Sequence, residues 1–141
     1  MMIERIEWNN RLIALILRRE LEMEGVNFFT QEDNPIQLGI LKHRQGARIK
    51  PHIHKNFSKT ISEVQEVLHI AYGKIEAEFY DEKGEKNKST ILGEGDTILL
   101  LSGGHGFNIL EDSKVIEVKQ GPYRGVGDKE LFKEHQPRGK E

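Results

Sequence analysis

Glycine-bearing turns cut the chain between Pro35 and Lys119 into short apolar runs, a rhythm that suits strands and leaves little room for helices. Ile36 to Leu41 is apolar-rich, Gln45-Gly46 marks a turn, Ala47 to His54 alternates, and Lys55 to Ser62 reads as a polar loop. Val64 to Tyr72 forms a strand ending at Gly73. Lys74 to Tyr80 alternates strictly, with Ile75, Ala77 and Phe79 on one face and Glu76, Glu78 and Tyr80 on the other. Asp81 to Lys88, around Gly84, reads as a hairpin loop, followed by Ser89 to Leu92, a Gly93-Glu94-Gly95-Asp96 turn and the strand Thr97 to Leu101. Ser102-Gly103-Gly104 breaks the chain before His105 to Leu110, and Glu111 to Lys114 returns it into Val115 to Lys119. This spacing predicts an all-β sandwich or barrel.

Upstream, Leu12 to Leu17 fits either a buried strand or the start of a helix running through Arg18, Arg19 and Glu20. A strand is favoured because every later segment is short and turn-bounded. The expected organisation is one domain: a short N-terminal extension, a barrel core over about residues 30–123, and a charged tail over 124–141 that frays.

Charge and composition exclude several classes. A net charge of −2 points to neither a nucleic acid nor an acidic membrane partner. Met1 to Arg5 does not read as a signal peptide, and Leu12 to Leu17 and Ile98 to Leu101 are too short to span a bilayer, so a cytoplasmic protein is expected. With no cysteine, any metal must be held by nitrogen and oxygen.

His52-Ile53-His54 carries the most chemistry. On a strand, two imidazoles spaced by one residue point to the same face and make half of a metal site. Further ligands must come from neighbouring strands, where Glu66 and His105 stand. Glu66 shares parity with Leu68 and Ile70, and a carboxylate on a core face needs a partner such as a metal. His105 follows two glycines that leave room for a ligand. Three imidazoles and a carboxylate suit manganese, iron, nickel, copper or zinc with positions left open. Glu63 is the rival carboxylate. His69, opposite in parity to Glu66, reads as structural, and His43 and His135 carry no spacing signal. Glu117 and Lys119 share a face: they line a polar pocket, or Ile116 and Val118 face the core instead, and alternation leaves both open. Tyr72, Tyr80, Tyr123 and Asn108 are candidates for the barrel mouth, and Lys59, Ser58 and Thr60 for contacts from the long loop.

These residues carry a resemblance. Gly46, five residues, His52 and His54, then Glu66, six residues and Gly73 resemble the first signature of the cupin superfamily. Gly95-Asp96, Gly103, His105 and Asn108 are similar to the second. Eleven residues separate His54 from Glu66, more than the family usually has, which implies an enlarged loop from Lys55 to Val64. The usual proline is replaced by Leu101 or Ser102, and the Gly95 to His105 spacing is one residue short. Ser102 to Phe107 and Glu117 to Tyr123 also resemble small bacterial cupins associated with polysaccharide and nucleotide-sugar pathways.

The resemblance implies a jelly-roll barrel of two antiparallel sheets that often pairs as a homodimer. It implies one divalent metal, manganese, iron, nickel or zinc, held by His52, His54, Glu66 and His105. The ligand would be a small polar metabolite, sugar-like or oxo-acid-like. If there is turnover, of isomerase or dioxygenase type, Glu117, Lys119 or Tyr123 would move protons. The sequence offers no dedicated nucleophile, so a non-catalytic ligand-sensing cupin stands as the alternative. A metal-free nucleotide-sugar epimerase of the same barrel type is a third reading.

Overall fold

The computed structural model describes residues 2–132, and His135 and the rest of the tail from residue 133 lie outside the described residues. Strands account for 49% of the structure, which is nearly all β and built around one strongly curled, half-barrel sheet. No helix among the described residues is long and apolar enough to cross a membrane.

The chain opens with a hairpin. β1 (Ile3–Trp8) and β2 (Arg11–Leu17) are joined by Asn9 and Asn10, whose φ values of 49° and 60° are the left-handed conformation that asparagine tolerates in a tight two-residue turn. β3 (Gly25–Phe28) and β4 (Gly39–Lys42) form a separate two-stranded sheet. β5 (Glu66–Tyr80), β6 (Lys86–Gly93), β7 (Thr97–Leu100) and β8 (Gly104–Lys119) complete the main sheet. Its order is β1-β2-β7-β5-β6, with β8 along the other edge of β5. After β8 only a single 3₁₀ turn, Val126–Asp128, is formed among the described residues.

The first residues are therefore core, and the expected N-terminal extension is corrected. Leu12 to Leu17 does form a strand, as favoured from the sequence, and it pairs with β7 deep in the sheet. Its unbroken apolar run has a physical reason: both faces of β2 are covered. Ala14 and Ile16 pack into the concave core with Ile70, Phe79 and Ile98, while Leu15 and Leu17 join Leu99 and Leu101 on the other side, beneath Leu38 and Ile40. A strand buried on both faces needs no polar alternation.

β5 and β8 are longer than the runs expected. Val64 to Tyr72 and Lys74 to Tyr80 merge into one bent strand, as do His105 to Leu110 and Val115 to Lys119. The bend lies at Gly73, where φ is 98° and the ladder with β8 shifts register between Ile70 and Ile75. A Cβ at Gly73 would overlap Ser113, so the crossing of the two bent strands requires glycine. Below the bend β5 runs between β7 and β8, and above it between β6 and β8.

The expected strand from Ala47 to His54 is not formed. Every residue from His43 to Val64 is exposed and none is in a strand. Pro51 withholds one backbone donor, and no strand among the described residues runs beside the segment to pair with its backbone.

Candidate functional site

The curl of the β5–β8 ribbon creates a polar cluster on its concave face. Residues directly opposite each other in an antiparallel ladder share a face. Glu66 stands opposite Lys119, Leu68 opposite Glu117, and Phe79 opposite His105. Because Leu68 and Phe79 are buried in the concave core, Glu117, Lys119 and His105 face the same concavity. On the last strand Glu117 and Lys119 therefore share the face of Leu68 and Glu66, and Ile116 and Val118 are exposed on the opposite face.

Glu66 is buried and surrounded by charge. His105 Nε2 lies 3.5 Å from Glu66 Oε2, and Lys119 Nζ lies 3.6 Å from Glu66 Oε1 and 3.8 Å from Glu117 Oε1. The His105 imidazole is the largest cause holding the Glu66 carboxyl down to about 2; burial opposes it, and contacts with Glu117 and Lys119 add to it. Glu117 moves the other way, pushed up chiefly by its hydrogen bond with Glu66 and then by burial. Two carboxyls in contact resist sharing two negative charges, so Glu117 is the member of the pair pushed toward its protonated form. Beside it, the His105 ring packs against Phe107 at 5.5 Å between centroids.

Glu63, the rival carboxylate, is turned away: it is paired with Arg11, which also binds Glu82 at 2.6 Å. Neighbouring Gln65 is 4% exposed and exchanges hydrogen bonds with Asn34 and Gln120, fixing the chain as it enters β5. Nothing in the residue spacing signals that anchor.

His52 and His54 lie side by side, their rings 5.1 Å apart at 71°, on the exposed segment before β5. His52 Nδ1 is 2.8 Å from the Lys50 carbonyl oxygen. A carbonyl only accepts, so the proton sits on Nδ1 and the Nε2 lone pair is left for a ligand. Metal-binding histidines are commonly oriented this way.

The structure thus brings the four expected ligands together as two pairs, Glu66 with His105 and His52 with His54. Among the described residues, no group of three or more histidines and carboxylates is placed to hold a metal ion. The donor types fit a divalent ion, but their positions among the described residues do not make one centre.

The remaining candidates sort clearly. His69 Nδ1 lies 2.8 Å from Thr97 Oγ1, a structural contact on the outer face. Asn108 donates to Glu76 at 3.0 Å and to Glu78 at 2.5 Å, locking the outer side of the ladder. Tyr123 is 80% exposed beyond β8 and makes no hydrogen bond with the Glu66 cluster. Lys59 sits 5.4 Å above the Phe57 ring, within the exposed segment. Two cavities of about 250 and 310 Å³ lie elsewhere, one lined by Arg19 and His69 and the other by Trp8 and Arg11.

Comparison with protein-family models, with curated proteins and with solved structures finds no match to the chain.

Proposed function

We propose that the protein is a cupin-type, metal-binding domain that takes a small polar metabolite, sugar-like or oxo-acid-like, into the concavity above Glu66, His105, Glu117 and Lys119. The observation that carries this reading is the approach of His105 to Glu66, at 3.5 Å, from the opposite end of the same ribbon. A carboxylate and an imidazole of this kind at the bottom of a concave sheet are the two body-borne ligands that the cupin-like motif requires. His52 and His54 supply the other two imidazoles, with the His52 tautomer already set for coordination by the Lys50 carbonyl.

A bound divalent ion would supply Lewis acidity toward a carbonyl or enediolate oxygen. The chain's own groups do the rest. The Lys119 ammonium lies within 4 Å of both carboxylates and offers charge to an anionic substrate oxygen. Glu66 beside it pushes the Glu117 carboxyl up, toward the protonated form, the direction that suits a proton donor to a bound ligand. Phe107 walls the site on the His105 side.

Titration of the metal-stripped protein with manganese(II), nickel(II) and zinc(II) by calorimetry tests the reading. It is supported by saturable binding of one ion per chain that is abolished by Glu66→Gln and by His105→Ala. Absence of binding for all three ions would reject it. A non-catalytic ligand-sensing role is the second reading, favoured by the lack of any hydroxyl or thiol nucleophile in the cluster; ligand-induced thermal stabilisation without product would select it.

A further inference from the structure

We propose that residues 43–62 contact an anionic lipid bilayer, with residues 51–62 folding there as an amphipathic helix that lies in the headgroup layer. The inference stands apart from the metal-binding reading and needs no occupied centre.

The net charge of −2 averages two unlike parts of the chain. From His43 to Ser62 stand Arg44, Arg48, Lys50, Lys55 and Lys59, with three histidines and no acid. That leaves sixteen of the chain's 21 cations against all 23 acids in the rest. Among the described residues none of the five is in an ion pair; Lys59 lies 5.4 Å above the Phe57 ring. A free cationic stretch on an acidic body is drawn to a negative surface, and the body is repelled by it, so contact is confined to the stretch.

The same stretch is studded with apolar side chains in water. Ile49, Ile53, Phe57 and Ile61 recur every four residues and are 59%, 91%, 77% and 42% exposed. No residue from His43 to Val64 is in a strand or helix. A spacing of four is the period of a helix face, and a long exposed stretch with no structure of its own is unusual in a small domain. Pro51 suits the first turn of such a helix. From there Ile53, Phe57 and Ile61 fall on one face, with Thr60 among them, and Lys55, Lys59 and Ser62 fall on the opposite face. Glu63, paired with Arg11, marks the return to the folded body.

Cations and apolar side chains together select lipid. A nucleic acid would take the cations and leave the apolar stripe in water, whereas a bilayer surface takes both, the stripe entering the acyl boundary and the lysines reaching the headgroups. The hairpin that feeds the segment supports this. Val26, Phe28 and Leu41 are more than half exposed on one face of β3–β4, where Lys42 is paired with Glu22 and Glu24. It adds apolar surface and no free cation.

Flotation of the full chain with two kinds of vesicle tests the proposal: phosphatidylcholine alone, and an equal mixture of phosphatidylcholine and phosphatidylglycerol. Binding to the mixed vesicles is expected to be at least about tenfold tighter, with a gain of helical circular dichroism. Lys55→Gln with Lys59→Gln should weaken it roughly thirtyfold, the share of two cations near an anionic surface. Phe57→Asp with Ile61→Asp, both at exposed positions, should abolish binding and leave the thermal melt unchanged. Both variants keep His52 and His54, so the result is read without reference to metal. Equal affinity for the two vesicles, or binding without helical gain, overturns the proposal. Binding to duplex DNA or poly-glutamate that matches the mixed vesicles and survives Phe57→Asp with Ile61→Asp also overturns it, because charge alone then accounts for the contact. Absence of vesicle binding overturns it as well, and slow hydrogen exchange over residues 43–62 in the free protein would then assign the segment to its own body.

Discussion

The carboxylate of Glu66 and the imidazole of His105 meet at 3.5 Å, although they sit at opposite ends of the β5–β8 ribbon. Glu66 begins β5, whereas His105 stands opposite Phe79 near its end; a straight strand would hold those positions roughly 40 Å apart. The ribbon curls through the register shifts and the glycine bend at its centre, and the meeting of the two side chains is a product of that curl.

Gly73 is accordingly the most sensitive turn position. Gly73→Ala forces a Cβ into Ser113 in a left-handed conformation, and is expected to cost about 2–4 kcal/mol and to reduce metal binding together with stability. Gly46 also has positive φ, at 90°, but a Cβ there meets open space, so Gly46→Ala should cost only about 1 kcal/mol. Chemical denaturation of the two variants side by side checks the contrast.

The two carboxyls of the cluster predict opposite pH dependences. Glu66 is held low, so its contribution to stability is present above its ordinary value of 4.5 and is lost as pH falls toward about 2. Glu117 is held high, so its contribution is present below 4.5 and is lost as pH rises through its raised value. Glu117→Gln should therefore gain stability relative to wild type at neutral pH and lose that advantage in acid, while Glu66→Gln should lose stability most at neutral pH. Unfolding free energies measured from pH 3 to 8 would refute the assignment if the two variants tracked each other.

The N-terminal hairpin is predicted to be indispensable. Leu15 is fully buried within the double-sided core, so Leu15→Ala should cost about 2–5 kcal/mol. Ile116 is exposed on the outer face, and Ile116→Ser should change stability by less than about 0.5 kcal/mol. Thermal melts of the two variants separate a core strand from a dispensable extension.

The legible parts of this protein are those governed by local pattern. Strict alternation in Lys74 to Tyr80 placed Phe79 in and Tyr80 out, and the parity of Glu66 with Leu68 put its carboxylate on the concave face, where the structure has it. Glycine clusters marked the turns before β7 and β8. Long-range geometry was not legible. Gly73 reads as the end of a strand in one dimension, and only the approach of Ser113 from β8 makes it a bend within one. The run Leu12 to Leu17 carries no alternation to reveal that two separate cores enclose it. Ala47 to His54 has the alternation of a strand, but pattern alone cannot supply the neighbour that a strand needs. Glu117 and Lys119 were undecidable for a related reason: both faces of β8 carry plausible residues, and only pairing with Leu68 and Glu66 selects one.

The most direct test of the central claim is native mass spectrometry of untagged protein purified without chelator, with wild type compared against His52→Ala, His54→Ala, Glu66→Gln and His105→Ala. One divalent ion per chain in the wild type, and its loss in all four variants, is the expected result. A wild type free of metal, or a metal retained when any two of the four side chains are removed in turn, would contradict it.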